Sequence, residues 1–102
     1  MTTMDSLQTQ INSVIALYSN GQIKEALDSV EILIKGYPDE PLLYNIRGVC
    51  YKAIGQLYDA VKSFEKALAI KPDYTEVNYN LGLTLQELGQ LDAAVKLSLI
   101  HI

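Results

Sequence analysis

Few side chains in this sequence could do chemistry, and their spacing does not favour it. Cys50 is the only cysteine and His101 the only histidine, so no internal disulfide can form and no metal-binding spacing of His and Cys exists. Cys50 stands two residues after Gly48 and has no base near it, which indicates a small buried apolar residue rather than a nucleophile. The glycines match neither a dinucleotide-binding motif nor a P-loop. We therefore expect no catalytic residue, no metal and no cofactor.

The charges exclude some classes of partner. The chain of 102 residues has a net charge of -4, and its eight Lys and Arg residues are scattered, whereas a nucleic-acid-binding surface needs them clustered. The N-terminus lacks the basic and apolar regions of a secretion signal, and no apolar run approaches the roughly 20 residues that span a bilayer. These observations favour a cytoplasmic protein that binds neither nucleic acid nor membrane.

An internal repeat organises the chain. The pairs Gly21-Gln22, Gly55-Gln56 and Gly89-Gln90 follow one another at steps of 34 residues. Residues 55–62 and 89–96 agree at six of eight positions. Other positions that keep the step are Ala26, Ala60 and Ala94, Gly48 and Gly82, and Pro38 and Pro72. Self-similarity at such a period predicts stacked repeat units.

Each unit has the pattern of two helices joined by a turn. In the second unit, apolar residues recur at helical spacing on both sides of Gly55, which suits the end of the first helix. Pro72 then ends the second helix. Applied to all three units, the pattern predicts six helices, good to about two to four residues at each end, near 5–19, 22–36, 41–54, 57–70, 75–88 and 91–100.

The period and these residues resemble the tetratricopeptide repeat. The second unit matches the family pattern best, at Tyr44, Gly48, Tyr51, Gly55, Ala60, Phe64, Ala67 and Pro72. Arg47 departs from it, where the family has a buried leucine, and the first unit has Val14 in place of the glycine, so we expect its helices to lie further apart. The resemblance implies an all-α fold of antiparallel helix-turn-helix hairpins stacked as a right-handed α-solenoid. Residues 1–102 would form a single domain, with repeats at about 7–40, 41–74 and 75–96.

The resemblance also implies a concave groove lined by the first helix of each hairpin. The repeat positions assign to it the candidate partner-binding residues Asn12, Asn45, Val49, Lys52, Tyr79, Asn80 and Leu83. Asn12 and Asn80 share the repeat position at which some family members bind a peptide backbone, and Ile46 interrupts that series. A carboxylate clamp needs several cations on the groove face, and Lys52 is the one well-placed candidate. We therefore do not expect a clamp.

The third unit leaves the pattern after Lys96. The family pattern predicts an aromatic residue near position 98 and alanine at 101, where the chain has Ser98 and His101. Residues 97–102 match the translation of CTG TCT CTT ATA CAC ATC, which resembles a transposon end used to prepare sequencing libraries. We interpret this tail as non-native adapter read-through, the alternative being a genuine divergent ending. On this interpretation the chain is the N-terminal part of a longer array.

The function that the resemblance implies is a protein- or peptide-binding scaffold without enzymatic activity. The alternative is a substrate-recruiting N-terminal array of a larger bacterial transferase, a glycosyltransferase or sulfotransferase, whose catalytic domain lies downstream. We expect a monomer, and we expect any self-association through an exposed last helix to be a property of the shortened chain.

Overall fold

Five α-helices make up the structure, a computed structural model that describes the backbone of residues 3–100 and the side chains of residues 6–94. The helices are α1 (Thr3–Ser19), α2 (Ile23–Gly36), α3 (Pro41–Ala53), α4 (Leu57–Ile70) and α5 (Thr75–Ile100). Each helix packs against the next one along the chain, which gives an elongated molecule of 62 × 29 × 19 Å. The all-α repeat solenoid predicted from the sequence is confirmed.

The two turns within the hairpins share one hydrogen-bond pattern. Gly21 and Gly55 have φ angles of 83° and 80°, in the left-handed region that residues with a Cβ atom disfavour. The N–H of Gln22 donates to the Leu17 carbonyl at 2.9 Å, and the equivalent bond of the second hairpin is also 2.9 Å. Such a bond, reaching back five residues across a left-handed glycine, is the Schellman ending of a helix. The Gly-Gln pairs therefore end α1 and α3, and α2 and α4 fold back on them.

The third hairpin does not form, so the prediction of separate helices at 75–88 and 91–100 is wrong. α5 continues without a break from Thr75 to Ile100 and passes through Gly89. Its second part lacks the packing of the second hairpin, because Leu91 is 54% exposed whereas Leu57, at the same repeat position, is 8% exposed. The Gly-Gln signal by itself is therefore insufficient to close a hairpin.

Packing across the hairpin explains the difference. A Cβ atom added at Gly48 would lie 2.6 Å from Cδ1 of Phe64, so the aromatic ring of α4 sits directly on this glycine of α3. At Gly82, the equivalent position on α5, an added Cβ would meet nothing within 4 Å. The sequence has Ser98 where the second unit has Phe64, so folding back would lack the aromatic contact that Phe64 makes with Gly48 in the second hairpin. A continuous helix instead keeps its internal hydrogen bonds through the Gly-Gln pair.

The first hairpin fills the same space with a different pair of side chains. Val14 and Val30, which occupy the repeat positions of Gly48 and Phe64, are both buried in one apolar cluster. Val14 is larger than the glycine of the second hairpin, and Val30 is smaller than its phenylalanine, so the two differences in side-chain volume offset each other. The wider helix spacing that we predicted from Val14 stays a prediction.

Arg47, the departure from the family pattern, connects three helices. From α3, its Nε donates to Ser63 Oγ of α4 at 3.0 Å, and its Nη1 contacts Glu31 Oε1 of α2 at 3.2 Å. Ser63 is 1% exposed and donates in turn to the Asp59 carbonyl at 3.0 Å. We call Glu31, Arg47 and Ser63 the inter-hairpin tie, because they link the two hairpins where the pattern has an apolar contact.

Candidate functional site

An apolar row follows one face of the first helices. Ile15 of α1, Val49 of α3 and Leu83 of α5 occupy the same position of successive repeats. Ile15 is 47% exposed, and the other two side chains are half-buried. We call this face, which carries Ile15, Val49 and Leu83, the groove. Three helices thus each contribute an aliphatic side chain to this face.

A depression of about 210 Å³ lies in the groove where α1, α3 and α5 meet. Its lining is largely apolar, and consists of Ile15, Tyr18, Leu42, Asn45, Ile46, Val49 and Glu76. The volume is below the roughly 300–1,000 Å³ of small-molecule and cofactor sites. The depression therefore suits one or two side chains of a bound chain.

Two of the predicted asparagines meet in the groove. The Nδ2 of Asn80 on α5 donates to the Oδ1 of Asn45 on α3 at 3.1 Å. Asn45 is 4% exposed, whereas Asn80 is half-buried. Asn12 lies apart from this pair on α1, exposed, and accepts a hydrogen bond from Gln8 Nε2 at 3.0 Å. Asn80 is thus the member of the pair that a ligand can reach.

The repeat position shared by Ile11, Asn45 and Tyr79 changes its surroundings along the array. Ile11 is 3% exposed and belongs to the core, although its repeat position assigns it to the groove. Tyr79 is 67% exposed. The first helix of the next repeat covers this position, so α3 covers Ile11 and α5 covers Asn45. No described helix follows α5 to cover Tyr79. This position faces the next repeat more than it faces a ligand.

Lys52 is not a free cation. Its Nζ lies 3.3 Å from Glu87 Oε1, with side-chain exposures of 27% and 47%. Among the residues that line the depression, Glu76 alone carries a charge. Burial raises the pKa of the neighbouring Tyr74 above its ordinary value, the Glu76 carboxylate raises it further, and a hydrogen bond with Asn45 opposes both. The described part of the groove is therefore acidic rather than basic.

Tyr18 and Ile46 line the depression, although the sequence did not assign them to the groove. Tyr18 occupies the repeat position of Lys52, and Ile46 that of Asn12 and Asn80. Carrying the step of 34 residues back from Lys52 would have found Tyr18. Ile46 interrupts the asparagine series, yet its aliphatic side chain extends the apolar wall of the depression.

A second cavity of about 230 Å³ lies between α1 and α2, away from the groove, and its lining includes Ser13, Ser29 and Ile32. Ser13 occupies the repeat position of Arg47. The first hairpin therefore has an open space beside the short Ser13 side chain, whereas the long Arg47 side chain fills the equivalent place in the second hairpin. This cavity provides a comparison surface for binding experiments.

Comparisons with known proteins agree with the geometry. The family model of the TPR repeat matches residues 48–89. A peroxisomal targeting signal receptor of Candida glabrata is 25% identical over 93 residues, which cover 82% of this chain and 16% of the receptor. DnaJ homolog subfamily C member 3 of Mus musculus is 31% identical over 78 residues, which cover 76% of this chain and 16% of that protein. The chain thus spans about a sixth of the length of these relatives.

A solved structure shares the fold. The second TPR of Spaghetti (RPAP3), bound to the HSP90 peptide SRMEEVD, superposes with a TM-score of 0.77 at 19% sequence identity, covering 88% of this chain and 83% of that one. The repeat of 34 residues, the stacked hairpins and these matches together support a tetratricopeptide repeat protein.

Proposed function

We propose that this chain is a scaffold module that binds an extended segment of a protein or peptide in the groove. The observation that carries the proposal is the apolar row Ile15, Val49 and Leu83, of which Ile15 and Val49 line a depression sized for a side chain. Its support from relatives is general, since one is named as a targeting signal receptor and a structural neighbour holds a peptide. Tetratricopeptide hairpins provide a rigid frame for such a surface.

Within the groove, we propose distinct contributions from the predicted residues. Val49 and Leu83 supply apolar contact, and Asn80 supplies hydrogen bonding to the peptide backbone. Asn45 orients Asn80 through the bond at 3.1 Å and contributes little direct contact because it is 4% exposed. Lys52 is held by Glu87. Asn12 and Tyr79 lie at the margins of the site.

We propose no enzymatic role for this segment, and the cytoplasm as its compartment. Cys50 is fully buried, and burial raises the pKa of its thiol, which disfavours the thiolate that a nucleophile needs. In the portion of the chain that the structure describes, no helix is both long and apolar enough to cross a membrane. The alternative of an array that recruits substrate for a transferase gains no support from the names of the relatives.

The experiment that tests the groove uses peptides selected from a random dodecapeptide phage library on the immobilised chain. The best selected peptide is synthesised with a fluorescent label, and its affinity is measured by anisotropy for two matched variants. Ile15→Asp places a charge in the groove, and Ile32→Asp places one on α2, where Ile32 is 69% exposed. We expect the first variant to lose about tenfold or more in affinity, because a buried unpaired charge is unfavourable, and the second to bind as the wild type does.

Two outcomes would contradict this assignment. If Ile32→Asp weakens binding and Ile15→Asp does not, the peptide occupies the cavity between α1 and α2 instead. If selection enriches no peptide over a library panned on the bare support, the chain has no peptide-binding groove. Amide chemical-shift changes on titration locate the peptide independently, and we expect them to concentrate around Ile15, Ile46 and Val49.

A further inference from the structure

The charges around the depression indicate which kind of peptide fits it. Glu76 is the one charged residue in the lining, and its side chain is exposed at the start of α5. No lysine or arginine contributes to that lining. A carboxylate brought into the depression would meet a like charge and find no cation there, which is unfavourable in a partly desolvated site.

The cation that the repeat pattern assigns to the groove is paired with a carboxylate. Lys52, at the repeat position that could serve a carboxylate clamp, lies 3.3 Å from Glu87. Recruiting Lys52 to an acidic ligand would break this ion pair and leave Glu87 unpaired beside the incoming negative charge. The net charge of -4 of the whole chain also repels an acidic ligand, at longer range.

The apolar part of the depression selects for a compact aliphatic side chain. Ile15, Ile46 and Val49 supply branched aliphatic surface to the lining of a volume of about 210 Å³. Burying this aliphatic surface against a leucine, isoleucine or valine of a ligand would contribute to the free energy of binding about as much as burying a core side chain contributes to folding.

Resting on the proposed function, we infer that the groove selects extended peptides that place a branched aliphatic side chain in the depression and a lysine or arginine within two residues of it, opposite Glu76. Successive residues of an extended chain advance by about 3.3 Å. A long basic side chain one or two residues from the aliphatic anchor therefore reaches the rim of the same depression. The inferred ligand differs in charge from an acidic peptide with a free terminal carboxylate.

The test compares peptides selected on the wild-type chain with those selected on Glu76→Gln, which removes the charge and keeps the shape. Glu65→Gln, on the exposed surface of α4, is the matched control for a general change in net charge. We expect wild-type and control selections to enrich an aliphatic residue with a nearby Lys or Arg. On Glu76→Gln the aliphatic preference remains and the basic preference falls to the library frequency. In anisotropy titrations, the wild-type chain prefers the basic peptide over its Lys-to-Glu counterpart by at least roughly threefold, as for one partly exposed ion pair.

Each other outcome decides against the inference in its own way. Enrichment of acidic peptides, or an unchanged basic preference on Glu76→Gln, overturns the charge selection and leaves the groove in place. Enrichment of aliphatic residues with no charge preference on the wild type overturns the role of Glu76. Failure to enrich any peptide overturns the proposed function itself, so the two failures are distinguishable.

Discussion

Substitution of Gly48 by alanine tests the closest contact between the two helices of a hairpin. The added Cβ atom would lie 2.6 Å from Cδ1 and 2.8 Å from Cζ of the Phe64 ring. Phe64 is fully buried, so the ring cannot move into solvent and must shift against its neighbours. Gly82 provides the matched control, because it occupies the same repeat position and an added Cβ there meets nothing within 4 Å.

The magnitudes follow from two opposed effects. Overpacking a core costs about 1–3 kcal/mol, whereas replacing glycine by alanine inside a helix stabilises by about 0.5–1 kcal/mol. Gly48→Ala is therefore expected to lower the free energy of unfolding by up to about 2 kcal/mol. Gly82→Ala is expected to raise it by about 0.5–1 kcal/mol. The two variants should differ by about 1–3 kcal/mol, the size of the overpacking effect alone.

Urea denaturation followed by far-ultraviolet circular dichroism measures this difference. A change of 1 kcal/mol moves the melting temperature of a domain this size by about 4–8 °C, so thermal scans give a second reading. Adding Phe64→Leu to Gly48→Ala should restore part of the loss, because the smaller side chain leaves room for the methyl group. The reasoning is refuted if Gly48→Ala is as stable as Gly82→Ala, or if Gly48→Ala and Phe64→Leu are simply additive.

Three further predictions concern the turns, the inter-hairpin tie and the buried thiol. Gly55→Ala should lower the free energy of unfolding by about 1 kcal/mol because Gly55 has a left-handed φ. Gly89→Ala should raise it by about 0.5–1 kcal/mol if α5 is continuous. Urea titrations compare the two variants, and a loss of stability at both positions would indicate a closed third hairpin. Arg47→Leu should make the melting temperature less sensitive to salt, since it removes the partly exposed ion pair with Glu31; an unchanged salt dependence would contradict the tie. Iodoacetamide should modify Cys50 slowly at pH 8, because burial raises the pKa of its thiol and limits access of the reagent. The reaction should be faster in urea and at higher pH. Equal rates with and without urea would argue against burial of Cys50.

The first two hairpins were predictable from the sequence because their local signals and their packing agree. Gly55 ends α3 and Phe64 of α4 packs on Gly48, so the turn and the core favour the same hairpin. The first four helices begin and end within two residues of their predicted positions. At Gly89 the local signal is the same, but the sequence has Ser98 in place of an aromatic. A turn motif is a local preference, and the apolar contact that sustains it is made by residues outside the motif, on the two helices that the turn joins.

The candidate groove was only partly predictable for a related reason. Repeat position determines which face of a helix a residue occupies, so Val49 and Leu83 could be assigned to it. Whether a residue on that face is open depends on the neighbouring repeat. Asn45 is 4% exposed because α5 and Asn80 cover it, and Tyr79 is 67% exposed because it lacks such a cover. The pairing of Lys52 with Glu87 joins α3 to α5, and no pattern within one repeat predicts it.

The inter-hairpin tie couples the unfolding of the first two hairpins. In a solenoid, stability is approximately the sum of what each repeat contributes alone and what each interface between neighbours adds. The contact of 3.2 Å between Arg47 and Glu31 strengthens the first of these interfaces, and the bond of 3.0 Å from Arg47 to Ser63 anchors Arg47 within the second hairpin. Beyond Gly89, α5 leaves Leu91 half exposed. Unfolding should therefore start at the far end of α5 and move inward, while residues of α1 to α4 exchange their amide hydrogens together as one cooperative block.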